Sequence, residues 1–281
     1  MNSSEARCDL HLHSYYSDGS FSPEELVRRS HEAGLAAIAV TDHDTLAGQD
    51  EVSATCQRYG IEFVSGLELS AREGGVSLHL IGYCIETRDE ALEKNTQVLR
   101  DARISRARLI VEKLGKLGID IPFKEVCAEA GRGALGRPHI AKILYRRGIV
   151  ASIQGAFNRY IGGGAPCYVP KKVIPLERIF SLITSAGGVV VWAHPGQYIN
   201  DEGLLDTLCG LGLTGIEMVH PNHSPAIEGR IAEVALRRGL VCTGGSDFHY
   251  PEAMQAEIGE VSVPYDTVLS LRRAAAKHNS A

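Results

Sequence analysis

The stretch CDLHLHSYYSDGS runs from Cys8 to Ser20, and the rest of the chain is read outward from it. Side chains alternate across an extended strand, so His11 and His13 share one face while Leu10 and Leu12 enter an apolar layer on the other. The glycine of SDGS ends the strand in a turn, just after Asp18. Two imidazoles and a carboxylate thus reach one end of one strand. That set suits a metal ion better than a hydrophobic core. The competing reading is a half-buried edge strand with its polar residues toward water.

Similar apolar or β-branched runs recur along the chain. They are AAIAVTDH from Ala36, IEFVSGLE from Ile61, SLHLIGY from Ser77, GVVVWAHP from Gly188, TGIEMVH from Thr214 and LVCTGGSD from Leu240. Each reads as a buried strand of a parallel sheet. Helical patterns lie between many of them. Pro23 to Ala33 is the clearest, with Ser22 as N-cap, Pro23 at the first position, Glu25 completing a capping box and Gly34 as the stop. SLITSAG and GRIAEVALRRG read the same way. Strand and helix in alternation predict βαβ units, and seven or eight such strands predict a barrel. Between about Arg88 and Lys172 the rhythm changes. A helical pattern from Glu90 to Leu117 opens a mainly helical insertion that ends with YIGGGAP and returns to the barrel near Pro175.

With 281 residues, 44% hydrophobic and 22% charged, the chain is long enough for one large α/β domain with an insertion. A net charge of −5 argues against a broadly basic nucleic-acid surface, though not against a nucleotide in a local basic pocket. MNSSEAR has no apolar segment or cleavage signature, and no run approaches membrane-spanning length. The seven cysteines form no C-x-x-C pair and read as reduced thiols of a cytoplasmic protein.

The strands share a feature at their ends. Near them stand His11, His13 and Asp18, then Asp42 and His43, Glu68, His79, His194, and finally Asp247 and His249. In an α/β barrel the C-terminal strand ends converge on one rim, which carries the chemistry. Of the 11 histidines only His31 and His278 lie in plainly helical contexts, with His220 and His223 intermediate. Burying the other seven as unpaired polar rings would be costly, and metal ions remove that cost. A His-rich set with Asp and Glu and no cysteine suits manganese, zinc or iron with open positions. There are too many candidate ligands for one ion, and Glu68 or Asp247 is a natural bridge. Asp42 and Asp44 are candidates to orient His43 from behind.

Taken together, DLHLHS, TDHD, GLELS, HLIGY, GRPHIA, WAHPG and GSDFH resemble the PHP (polymerase and histidinol phosphatase) family of metal-dependent phosphoesterases. The resemblance covers nearly the whole chain. GRPHIAKIL and GSDFH are most similar to a branch of bacterial 3′,5′-nucleoside bisphosphate phosphatases and short-RNA 5′–3′ exoribonucleases of the RNase AM type. It implies a distorted (β/α)7 TIM-like barrel over residues 1–87 and 173–281, with residues 88–172 as an inserted helical substrate-capping domain. It also implies two or three divalent ions, manganese first and zinc or iron as alternatives. The implied ligands are His11, His13, Asp18, His43, Glu68, His79, His194, Asp247 and His249.

The implied reaction is hydrolysis of a phosphate ester by a metal-activated water. Asp247 or a nearby histidine such as His194 is expected to help the leaving oxygen depart. Arg137 and His139 are expected to hold the substrate phosphate, arginine being suited to a two-pronged grasp. His223 is a further candidate substrate contact. The arginines of RDARISRARLIVEKL read as a solvated helix face, and Lys171 and Lys172 stay outside the expected site. The expected partner is the substrate, a nucleoside bisphosphate or short 5′-phosphorylated RNA, with no stable nucleic-acid complex, membrane or protein partner. Alternatives are another phosphatase of the family, such as one for histidinol phosphate, or a non-catalytic scaffold module.

Overall fold

The computed structural model describes residues 6–131, 133–251 and 256–278, so most of the N-terminal stretch read for a leader lies outside it. The chain opens with β1 (Arg7–Leu12), α1 (Pro23–Glu32), β2 (Leu35–Val40), α2 (Gln49–Tyr59), β3 (Glu62–Phe63), β4 (Gly66–Glu73) and β5 (Val76–Tyr83). The helical stretch is α3 (Glu90–Lys116), α4 (Phe123–Ala130), α5 (Arg137–Arg146) and α6 (Ile153–Ala156), which runs into a π-helical turn over Phe157–Ile161. Then come α7 (Leu176–Ser185), β6 (Val189–Ala193), α8 (Glu202–Gly210), β7 (Gly215–Val219), α9 (Pro225–Arg238), β8 (Val241–Gly244), β9 (Val263–Pro264) and α10 (Asp266–His278).

The fold is α/β, but its strands differ from the expected all-parallel set. One sheet has the order β3-β2-β1-β9 and the other β4-β5-β6-β7-β8. β5 is antiparallel to both of its neighbours, and β9 is antiparallel to β1. The cause of the first reversal is a tight hairpin at Gly74 and Gly75, both at positive φ, which turns the chain straight back. The run IEFVSGLE is also two strands, β3 and β4, rather than one. The ladders do not form one continuous closed sheet. Isolated bridges at Leu12–Phe248 and His43–Glu68 tie the two sheets together at both seams.

Local chemistry explains the helices. Ser22 caps α1 by accepting the Glu25 N–H at 3.1 Å. The other half of the expected capping box is not made, because the Glu25 carboxylate goes to Arg28 and Arg29 instead. Asp89 caps α3 through the Leu92 N–H. Helix α3 is 27 residues long and serves two apolar clusters. Leu92 and Leu99 pack with β4, β6 and α7, whereas Ala107, Ile110 and Leu114 pack with α4, α5 and Ile161. Fully buried aliphatic and aromatic residues of this kind contribute about 1.5–3 kcal/mol each.

Leu10 and Leu12 are buried as expected, but in different clusters. A register shift between Asp9 and Leu12 in the β1–β2 pairing re-aims the end of the strand. No helix among the described residues is long and apolar enough to cross a membrane. All seven cysteines are unpaired.

Candidate metal centre and substrate cleft

Distant segments bring all nine expected ligand residues into one contiguous cluster. From β1, His11 Nε2 lies 3.1 Å from His13 Nε2. Asp247, just past β8, sets Oδ1 at 3.2 Å and 3.1 Å from those two nitrogens. Glu68 is the junction. Its Oε2 lies 3.5 Å from His11, 3.3 Å from His13 and 2.8 Å from His43 Nδ1, while its Oε1 lies 2.8 Å from His79 and 3.1 Å from His194. Asp18 approaches His43 at 4.0 Å and His249 at 3.5 Å. Glu68 sits inside β4 rather than at a strand end, and His79 sits inside the reversed β5, opposite Ser70 and Ala193.

The backbone is bent to make this approach. Asp44, His194 and Asp247 hold positive φ values of 54°, 28° and 48°, uncommon for residues with a Cβ and concentrated here at the cluster. Gly245 lies so close to β1 that a Cβ would come within 2.5 Å of the His11 nitrogen. That glycine lets the chain pass against β1 just before Asp247.

Glu217, in β7, was not among the expected site residues. It is fully buried and accepts two hydrogen bonds, from His11 Nδ1 at 2.9 Å and from the His194 backbone N–H at 2.7 Å. Its pKa is lowered: burial alone would raise it, but the contact with His11, joined by His220 and His194, outweighs this. A proton on Nδ1 leaves the His11 Nε2 lone pair facing the cluster. His220, also outside the expected set, lies 3.3 Å from Asp247 Oδ2. Sequence pattern carried a weak sign of Glu217, as a single charged residue within the apolar run TGIEMVH.

The donor set fits divalent cations. His43 Nδ1 and Glu68 Oε2 are 2.8 Å apart, yet neither makes a hydrogen bond, and Asp18 Oδ1 is also buried without a partner. Lone pairs therefore converge on shared space. Three ligand groups stand out: His13, Asp18, His43 and His249; His11, His13 and Glu68; and His43, Glu68 and His79. The electrostatics agree. Burial alone would lower the His13 pKa, but the Asp247 and Glu68 carboxylates overcome it and push it up to about 10. His43 falls to about 4, burial prevailing there over Glu68 and Asp18. The carboxylates of Glu68 and Asp247 are held well below the usual range despite burial, through the surrounding imidazoles. The cluster's acids thus demand positive charge, which metal ions bring without protonating the ligands.

A cleft of about 290 Å³ opens onto Asp18, His43 and His79. Its wall corrects the reading of the arginine-rich helix as solvated. Arg103 of α3 pairs with Asp44 and is largely buried, and Lys171 pairs with the same carboxylate at 2.9 Å. Arg106 donates to the Val169 carbonyl and Arg137 to the Ile161 carbonyl, and neither has a carboxylate partner among the described residues. Burial, then the Arg137 charge, lowers Arg106 to about 10. Arg137 lies 5.3 Å and 5.9 Å from the Phe157 and Tyr168 ring centres. The i, i+3 spacing of Arg103 and Arg106 was the available signal that they share one helix side.

Other expected contacts are committed elsewhere. Asp42 accepts from the Ser14 amide and the Ser14 and Ser17 hydroxyls, and Asp44 anchors Arg103 and Lys171, so neither orients His43. His139 is buried, and its Nδ1 accepts the Gly136 N–H at the start of α5. His223 donates from Nδ1 to the Met218 carbonyl and accepts the Gly196 N–H at Nε2, which leaves no ring nitrogen for a ligand.

Known proteins resemble this chain. A family profile for the PHP domain matches residues 9–115. The chain is 34% identical over 259 residues to a 3′,5′-nucleoside bisphosphate phosphatase of Chromobacterium violaceum, covering 90% of this chain and 91% of that one. It is 34% identical over 248 residues to a 5′-3′ exoribonuclease of Haemophilus influenzae, covering 86% and 90%. The crystal structure of a metal-dependent phosphoesterase from Bifidobacterium adolescentis matches with a TM-score of 0.86 at 30% identity, over 95% of this chain and 96% of that one.

Proposed function

The chain belongs to the PHP domain family and is a metal-dependent hydrolase of phosphate esters, and from that premise we propose that it removes the 3′-phosphate of nucleoside 3′,5′-bisphosphates and degrades short 5′-phosphorylated RNAs from the 5′ end. The observation that carries this reading is the pair Arg106 and Arg137. They are half-buried cations without carboxylate partners among the described residues, in the cleft that opens onto Asp18, His43 and His79, and Arg137 lies against the Phe157 and Tyr168 rings. A second phosphate on the substrate answers both of them. Phe157 and Tyr168 offer faces on which a base stacks. A simple monoester without a second anion leaves this half of the cleft unused.

We assign the nine clustered residues as the metal ligands and residues 88–172 as the substrate cap, with manganese as the first choice of ion. Bound divalent ions supply Lewis acidity toward the phosphate oxygens and lower the pKa of water. The protein's own groups do the rest. Arg103 and Lys171, fixed on Asp44, face the phosphate entering the cleft and compensate its charge. Arg106 and Arg137 hold the 5′-phosphate and thereby orient the 3′ ester. Asp247 and His194 border the departing 3′-oxygen, which needs a proton or a cation to leave. His220 steadies Asp247. A cytoplasmic location, where thiols stay reduced, goes with this reading.

The test uses manganese-loaded protein with adenosine 3′,5′-bisphosphate, a 5′-phosphorylated short RNA and histidinol phosphate. The expected order of kcat/KM places both nucleotides above histidinol phosphate. A preference for histidinol phosphate overturns the substrate assignment, and a protein that neither takes up stoichiometric manganese nor turns over any of the three returns the scaffold reading.

A further inference from the structure

Asp18 borders two cavities. The first is the arginine-lined cleft. The second, of about 350 Å³, is lined by Tyr15, Ser20, Glu129, Gly133, His139 and Lys142 among others. The connector between α4 and α5, together with the first turn of α5, contributes to both walls: Leu135 to Pro138 face the first, Gly133 and His139 the second. This connector is pinned to the strand end by the Ala134 N–H donating to the Ser17 carbonyl at 2.8 Å. Gly133 is packed so closely there that a Cβ would lie 2.6 Å from the Tyr15 carbonyl oxygen.

The charges of the two cavities differ. The first carries Arg103, Arg106, Arg137 and Lys171 against Asp18 and Asp44. The second carries Lys142, which makes no ion pair among the described residues and lies 5.2 Å from the Tyr250 ring centre. Its acids are Asp18 and Glu129, the latter neutralised by Arg146 at 2.7 Å. A terminal phosphate monoester brings two negative charges, an internal phosphodiester one.

We infer that the second cavity is a subsite for the strand that continues beyond the scissile phosphate of a 5′-phosphorylated oligoribonucleotide. This rests on the substrate reading given above. A phosphodiester at the metal cluster carries a substituent on each side, so it needs two exits, whereas a nucleoside bisphosphate ends at the phosphate being removed and needs one. The 5′-terminal nucleotide, with its doubly charged phosphate, belongs in the strongly cationic cleft. The downstream nucleotides leave past Asp18, with Lys142 near their singly charged backbone and Tyr15 offering a ring on the cavity wall. The weak charge of this side suits binding that does not depend on sequence or length.

Two variants test the assignment. Lys142→Glu reverses the cavity's free charge, and Ser20→Trp, at an exposed position on the rim, fills it with bulk. Each is assayed, manganese-loaded, on adenosine 3′,5′-bisphosphate and on a 5′-phosphorylated triadenylate. The expected result is that kcat/KM for the triadenylate falls about tenfold relative to that for the bisphosphate. For Lys142→Glu the ratio returns toward the wild-type value as salt is raised. Equal losses on both substrates, or undiminished triadenylate cleavage in both variants, overturn the inference. A wild-type protein that cleaves the bisphosphate but not the triadenylate overturns this inference and the RNA half of the substrate reading while leaving the bisphosphate half standing, and one that cleaves neither removes the substrate reading whole.

Discussion

Replacing Glu217 by glutamine changes the shape of the interior hardly at all, yet it changes what His11 must do. The carboxylate accepts from two donors, the His194 backbone N–H at 2.7 Å and His11 Nδ1 at 2.9 Å. A glutamine side chain has one acceptor oxygen and one donor NH2. The His194 N–H cannot stop donating, so it keeps the oxygen. The NH2 then faces His11 Nδ1, which must become the acceptor. The imidazole proton moves to Nε2, the nitrogen that lies 3.1 Å from His13 and faces Glu68 and Asp247. One ligand lone pair is thereby blocked. Loss of such a supporting partner costs about 10–100-fold in metal affinity, or about 1.4–2.7 kcal/mol. Folding of the metal-free protein changes less, because both hydrogen bonds persist, the one to His194 unchanged and the one to His11 reversed. The assay is manganese titration by calorimetry. Glu217→Gln with wild-type manganese affinity would refute the reasoning.

Two further outcomes follow from the same geometry. Arg137→Ala should reduce kcat/KM for a nucleoside bisphosphate by about tenfold or more while sparing a simple aryl phosphate, and equal loss on both substrates rejects Arg137 as a phosphate clamp. Thermal stability of the metal-free protein should peak near neutral pH. The stabilisation carried by His13, whose folded pKa of about 10 lies above its ordinary 6.5, is complete below about 6.5 and fades as pH rises. The contribution of His43, lowered to about 4, is complete above about 6.5 and fades as pH falls. Manganese should remove the alkaline decline, because ion binding displaces the ligand protons and strengthens with pH. Melting curves across this range with chelator or manganese decide it, and a chelated protein whose Tm climbs steadily past about pH 9 contradicts it.

The ligand-bearing segments were legible because each pairs a short apolar run with His, Asp or Glu, and because that coincidence repeats. The length of α3 was legible too, from the helical pattern over Glu90 to Leu117, against an observed Glu90–Lys116. Strand direction was not. SLHLIGY looks like its neighbours, and only the adjoining Gly74–Gly75 announces that β5 runs backwards. The substrate wall was misjudged for a related reason. Arginines on an amphipathic helix resemble a solvated face until a second element covers them, and the segments that cover Arg103 and Arg106 lie far away, near Asp44 and Val169. Glu217 escaped notice because a lone carboxylate in a buried strand declares its role only through its partners.

Helix α3 passes from one hydrophobic cluster into the other without a break, and Arg103 and Arg106 lie on the stretch between Leu99 and Ala107. Its two halves are therefore locked in rotational phase. Deleting a single residue from that interval would turn everything beyond it by about 100° and draw it in by about 1.5 Å. Placed ahead of Arg103, the deletion would swing both guanidinium groups off the cleft and turn the second apolar cluster against the first. The number of residues between the two clusters, more than the helix's surface composition, is therefore what would tie the proposed cap to the chemistry.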